Sequence, residues 1–242
     1  MIRITNTDVY GWEAAIRGMR NPMNSWEKSD SEMCRGGDGF EDCRISINGE
    51  CPRHDNFTHD VFCVGANDYA LMHKLSDAGS DHGKFLRMIN VTADINAPLY
   101  WWKEYDTYKV GTVANSCSTM HKIHAKDFTL DDFSHEHLWG EPAERDVDEP
   151  IGILNIVIDT LNFYRKEFVL TKDKFHWWQM IQLLPSSYNQ LRTVQLNYQV
   201  LKNMYHARKN HKLDEWHDFC KWIETLPYSE LITGRAADEN GN

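Results

Sequence analysis

The sequence predicts a single globular domain that mixes strands with helices. Three observations carry that reading. Met88 to Ile95 alternates, with Ile89, Val91, Ala93 and Ile95 on one side, the period-two pattern of a half-buried strand. Ile151 to Phe168 is apolar nearly all round, the pattern of a helix covered on both sides, in a core or at a subunit interface. Leu213, Trp216, Cys220 and Ile223 recur at helical spacing, so an amphipathic helix packs there.

The 242 residues are enough to bury a large core, and they read as one domain, 1–242. A loop-rich insertion is expected around 33–62 and a flexible C-terminal tail around 232–242. Hydrophobic content of 41% and charged content of 26% belong to an ordinary soluble protein. A net charge of -10 argues against nucleic acid as the main partner. No apolar run reaches the length of a membrane span and no signal region opens the chain, so a cytoplasmic protein is expected.

Taken in order, residues 2–5 alternate as a first strand and residues 12–19 read as a helix. Arg20 to Trp26 reads as a structured turn whose polar groups line a site or close a loop. Residues 33–60, rich in Gly, Asp, Asn and Cys, read as a long loop, with a hairpin at Cys43–Cys51 around Asn48-Gly49. A helix follows, with Asn67 as its N-cap, Leu71, Leu75 and Ala78 on one face, and Gly79 ending it. After the 88–95 strand comes a short aromatic helix opened by Pro98. Thr112, Asn115, Ser116, Ser118 and Thr119 then form a polar loop punctuated by Gly111. Asp131 and Asp132 after Thr129 suit a helix first turn. Lys172 to Leu184 is another helix, with Phe175, Trp178 and Ile181 in phase and Pro185 as its stop.

The chain has six cysteines, four of them between 34 and 63 near His54 and His59. They contain no C-x-x-C and no H-x-x-x-H spacing, so no metal site is predicted and free thiols are expected. A metal-dependent hydrolase using that region and the acidic 127–148 stretch is the weakest of three functional readings.

The other two start from Ala97 to His121, an aromatic wall beside small donors and acceptors, the surroundings a flat, phosphorylated ligand needs. A core helix followed by an ordinary polar loop explains the same residues. The stretch resembles the flavin-dependent thymidylate synthases (the ThyX type), whose signature is R-H-R-x-x-S-x-N-E-x-S-x-R-Y. Laid over Tyr108 to His121, Asn115 and Ser118 match that signature. Tyr108, Lys109 and Val110 stand at the Arg-His-Arg triplet, Val113 at the first Ser, Ser116 at the Glu and Met120 at the last Arg. Gly79 and His82 echo the family's Gly-His element, with Lys84 and Arg87 at its Ser/Thr and Glu positions. Farther on, Leu184-Pro185, a short strand and Asn197 follow the family's order, and Asn197, Leu201, Met204 and Arg208 share one helix face.

The resemblance implies an α+β domain, a twisted and mainly antiparallel sheet flanked by helices, assembled as a homotetramer. It implies FAD as cofactor and reductive methylation of a deoxyuridine monophosphate-type nucleotide with methylenetetrahydrofolate and NADPH. It places Ser118 and Arg208 at the reacting nucleotide, and His82, Lys84, Arg87, Tyr108, Lys109, Asn115 and Asn197 at the flavin. Because an Arg that forks onto a phosphate is not replaced conservatively, Lys84, Arg87, Lys103 and Lys109 are the candidates to supply the missing charge. The alternative is a repurposed, inactive relative that keeps the fold for ligand binding or assembly.

Overall fold

The structure, a computed structural model, describes residues 2–34, 61–141, 143 and 145–234. The expected hairpin at 43–51 and most of the expected insertion and tail lie outside the described residues. The fold is α+β with antiparallel strand pairing. The strands are β1 (Arg3–Tyr10), β2 (Glu32–Cys34), β3 (Val61–Cys63), β4 (Asn90–Pro98), β5 (Val113–Ser116) and β6 (Asn189–Asn197). The helices are α1 (Trp12–Arg20), α2 (Ala66–Asp77), α3 (Leu99–Tyr105), α4 (Pro150–Thr171), α5 (Lys174–Leu183), α6 (Tyr198–Arg208), α7 (Asp214–Glu224) and α8 (Glu230–Thr233). A four-stranded sheet has the order β1-β4-β6-β5, and β2 pairs with β3 in a separate ribbon.

The chain divides into two compact units, each assembled from three stretches. The first holds residues 1–7, 92–195 and 208–221; the second holds 8–91, 196–207 and 222–242.

In the first unit, β4 buries Ala93, Ile95 and Ala97 and turns Asp94 the other way, to accept from Asn6 Nδ2 at 2.7 Å and Thr193 Oγ1 at 2.6 Å. Those two donors hold the Asp94 carboxyl below its ordinary pKa. Pro98 caps α3, whose Trp101, Trp102 and Tyr105 are buried with Trp216 and Phe219 of α7. A second cluster joins Leu154, Ile158 and Leu161 of α4 to Met180 of α5, with Ile123, Phe128 and Phe133.

In the second unit, Trp12 of α1 meets Tyr198 and Tyr228 edge-on at 5.3 and 5.1 Å. Gly11, at φ +97°, opens that helix where a Cβ would lie 2.1 Å from the Met88 carbonyl oxygen, so no other residue fits. Arg20 lies buried against Asp68 of α2, Nε to Oδ1 at 2.6 Å, and its other nitrogens donate to the Ser25 and Lys28 carbonyls. Asp68 also accepts from the Ser29 and Ser31 hydroxyls. Arg20 to Trp26 is thus a closed loop whose Arg is spent internally.

Several expectations change. The first strand runs to Tyr10, because β1 continues past Thr5 with side chains mostly exposed, where no hydrophobic alternation marks it. Asn67 is not the cap of α2: Gly65 is, and the Asp30 carboxylate accepts from the Asn67 and Asp68 N–H groups at 2.8 and 3.0 Å. An acid from another segment does the local cap's work. The polar loop after Gly111 contains a strand, β5, paired antiparallel with β6 as Val113↔Gln195 and Asn115↔Thr193. It is exposed throughout, so it shows none of the apolar spacing that marks a buried strand. Where a helix first turn was expected, Thr129 and Asp132 form a capping box on a 3-10 turn, Leu130–Asp132. Finally, where α4 was expected to be covered on both sides, in a core or at a subunit interface, one side is left uncovered by the described residues of this chain. Ile153, Phe163 and Leu170 stand 49%, 57% and 78% exposed, and on α5 so do Phe175 and Trp178.

Candidate functional site

The first unit collects charge around the end of the aromatic helix. The buried rings of α3 fix its axis, and Glu104, one residue before its end, is half-buried. Arg208 closes α6, His211 sits in the turn after it, and α7 begins three residues later. The apolar face of α7 buries Trp216 completely. These elements bring three donors onto one oxygen of Glu104. Oε2 accepts from Arg208 Nη1 at 2.7 Å and from Trp216 Nε1 at 3.2 Å, with His211 Nε2 at 3.2 Å. The Leu213 N–H donates to His211 Nδ1 at 3.2 Å, so in the neutral ring the proton sits on Nε2 and faces the carboxylate.

Arg208 is held further. Its Nε donates to the Tyr108 hydroxyl at 3.0 Å, and the guanidinium carbon lies 5.6 Å from the Tyr108 ring centre and 4.9 Å from that of Trp216. Tyr108 is itself pinned, since Thr112 Oγ1 donates to its carbonyl. Nη2 of Arg208 has no partner among the described residues and is the edge from which an external anion can be met.

Beside this cluster, Arg192 lies 4.2 Å over the Trp102 ring and pairs with Asp106 at 2.8 Å. Tyr100 donates to the buried Glu215, and burial together with that carboxylate pushes its hydroxyl up to about 12.

The predicted site residues divide between the units. Tyr108 and Arg208 are brought into contact in the first. Asn115, exposed on the edge strand β5, has no side-chain partner among the described residues. Ser118 accepts from the His121 N–H at 2.9 Å, so its hydroxyl oxygen is partly used to close its own turn. Lys109 is exposed. In the second unit, His82, Lys84 and Arg87 sit in or beside the 3-10 turn Gly83–Arg87, which is anchored by buried Phe85 and Leu86. All three are exposed and none makes a side-chain ion pair or hydrogen bond among the described residues. Asn197 caps α6, its Oδ1 accepting from the Val200 N–H at 3.0 Å. Only its Nδ2 is left for a ligand.

Glu104, His211 and Trp216 were not among the expected site residues. The available signal was Glu104 itself, a carboxylate inside an aromatic run four residues before Tyr108. Among the described residues no group of three His, Cys, Asp or Glu is placed to hold a metal ion, and no helix is long and apolar enough to cross a membrane.

No protein-family profile matches the chain, and no curated protein sequence does. Solved structures do. The flavin-dependent thymidylate synthase ThyX from Helicobacter pylori, crystallised with FAD and dUMP, superposes with a TM-score of 0.61 at 16% identity, over 96% of this chain and 97% of that one. A second crystal structure of the same Helicobacter pylori protein with FAD and dUMP gives the same figures. The UMP/dUMP methylase PolB from Streptomyces cacaoi, bound with 5-Br dUMP, gives a TM-score of 0.51 at 10% identity, over 85% of this chain and 76% of that one. At these identities the likeness establishes a ThyX-like fold.

Proposed function

We propose that the protein is a FAD-dependent, thymidylate synthase-like enzyme that reductively methylates a deoxyuridine monophosphate-type nucleotide. Methylenetetrahydrofolate supplies the one-carbon unit and NADPH the reducing equivalents. The observation that carries this reading is the fold likeness, along nearly the whole of both chains, to a protein crystallised with FAD and dUMP.

The chain's own residues fit such ligands in part. Lys84 and Arg87, exposed and without ion pairs among the described residues, suit the diphosphate of FAD. Arg208 offers its Nη2 edge to a nucleotide phosphate while Tyr108 fixes its plane. Asn115 offers an uncommitted amide. His82, Lys109, Tyr108 and Asn197 complete the flavin-facing set, and Ser118 joins Arg208 at the nucleotide. Bound flavin supplies the redox chemistry, and the protein holds charge and orientation. Self-association as a homotetramer fits the exposed apolar face of α4 and α5, and a cytoplasmic setting fits the chemistry.

A second reading, a repurposed relative without turnover, is favoured by two observations: Arg208 is already paired with Glu104, and Val110, at the triplet's last position, is 89% exposed and carries no charge. A visible absorption spectrum of freshly purified protein decides first. Flavin bands, present or gained on adding FAD, are expected; a chain that stays colourless with added FAD sinks the enzymatic reading. Nucleotide-dependent NADPH oxidation, lost in Asn115→Ala and Ser118→Ala, then tests the substrate.

A further inference from the structure

We propose that Glu104 sets the anion affinity of the Arg208 site by acting as an internal rival for that guanidinium. The inference rests on the nucleotide reading only for the identity of the incoming anion. Three donors from α6, the following turn and α7 converge on one carboxylate oxygen, Oε2. That is the surrounding an anionic oxygen seeks, and here the chain's own side chain fills it.

The two members of the ion pair are unequally exposed. Arg208 is fixed on three sides, by Tyr108, Trp216 and Glu104, and its side chain is 19% exposed. Glu104 is 34% exposed, and its Oε1 has no partner among the described residues. An anion arriving at Nη2 meets a cation whose charge is already offset at Nη1. Neutralising Glu104 removes that offset and leaves the position of Arg208 set by its two aromatic neighbours.

The test titrates the full chain with inorganic phosphate and with deoxyuridine monophosphate, read by calorimetry. Glu104→Gln should bind phosphate about tenfold more tightly than the unaltered chain, the size expected for removing one close like charge at a partly exposed site. Adding Arg208→Gln should abolish the gain. Glu104→Ala carries the same expectation should the amide fail to fold. A gain in affinity is something structural damage does not produce. Unchanged or weaker phosphate binding in a folded Glu104 variant overturns the proposal, as does a gain that survives loss of Arg208. Tighter phosphate binding in a chain that takes up no FAD keeps the proposal and sinks the enzymatic reading, so the two failures are told apart.

Discussion

Tyr105 is wholly within the aromatic core of the first unit, and its hydroxyl finds no partner among the described residues. Burial pushes that hydroxyl above its ordinary pKa, with Arg192 and Asp106 pulling in opposite directions. A buried hydroxyl without a partner costs stability, and replacing it with hydrogen on the same ring removes the cost. Tyr105→Phe should therefore leave the melting temperature unchanged or raise it at pH 7. The sign at high pH follows from the raised pKa: the folded state keeps the proton, so its contribution is present below about pH 10 and fades as pH rises beyond that. The variant should lack that part of the alkaline decline. A loss of more than about 1 kcal/mol at pH 7 in chemical denaturation would mean the hydroxyl is bonded after all.

Between elements, a buried ion pair from Arg20 to Asp68 joins α1 to α2. Asp68 is fully buried; burial pushes its carboxyl up, but the Ser29 and Ser31 hydroxyls and Arg20 outweigh this and hold it below its ordinary value. Asp68→Asn leaves Arg20 buried without its anion and should cost about 3–5 kcal/mol at pH 7, measured by urea unfolding. A lowered pKa stabilises the fold above about pH 3.9 and ceases to do so as pH falls through the lower, folded value. The penalty of the variant should accordingly shrink at pH 3; an equal penalty at both pH values contradicts the assignment. The same elements show what sequence can and cannot supply. Apolar patterning located α1, α4 and β4, whereas on α2 the face it marked, Leu71, Leu75 and Ala78, is not the one that buries Asp68, Met72, His73 and Ser76. It was silent on β5 and on the far half of β1, which are exposed strands defined by pairing. Capping by Asp30 across 37 residues, and the convergence on Glu104 from 104 residues away, are properties of the fold that no local pattern encodes.

For the molecule as a whole, the sequence led to the ThyX-like architecture through a few polar positions set in the right order of elements, and the solved structures share that architecture. The site was less legible. Arg208 and Tyr108 were anticipated and do meet, but the acid between them was not. The all-apolar character of α4 was read as burial on both sides, in a core or at a subunit interface, and among the described residues one side stays uncovered. Its open face, continued by Phe175 and Trp178, is the surface expected to meet further copies. Phe163→Glu with Trp178→Glu should lower the mass seen by light scattering while leaving the helical circular dichroism intact. An unchanged mass would place any assembly contact elsewhere.

Each of the two compact units is stitched from three separated lengths of polypeptide. No contiguous fragment of the gene encodes either one. A frameshift or a truncation after residue 91 would strip pieces from both together, so neither body can be borrowed, duplicated or discarded by simple recombination.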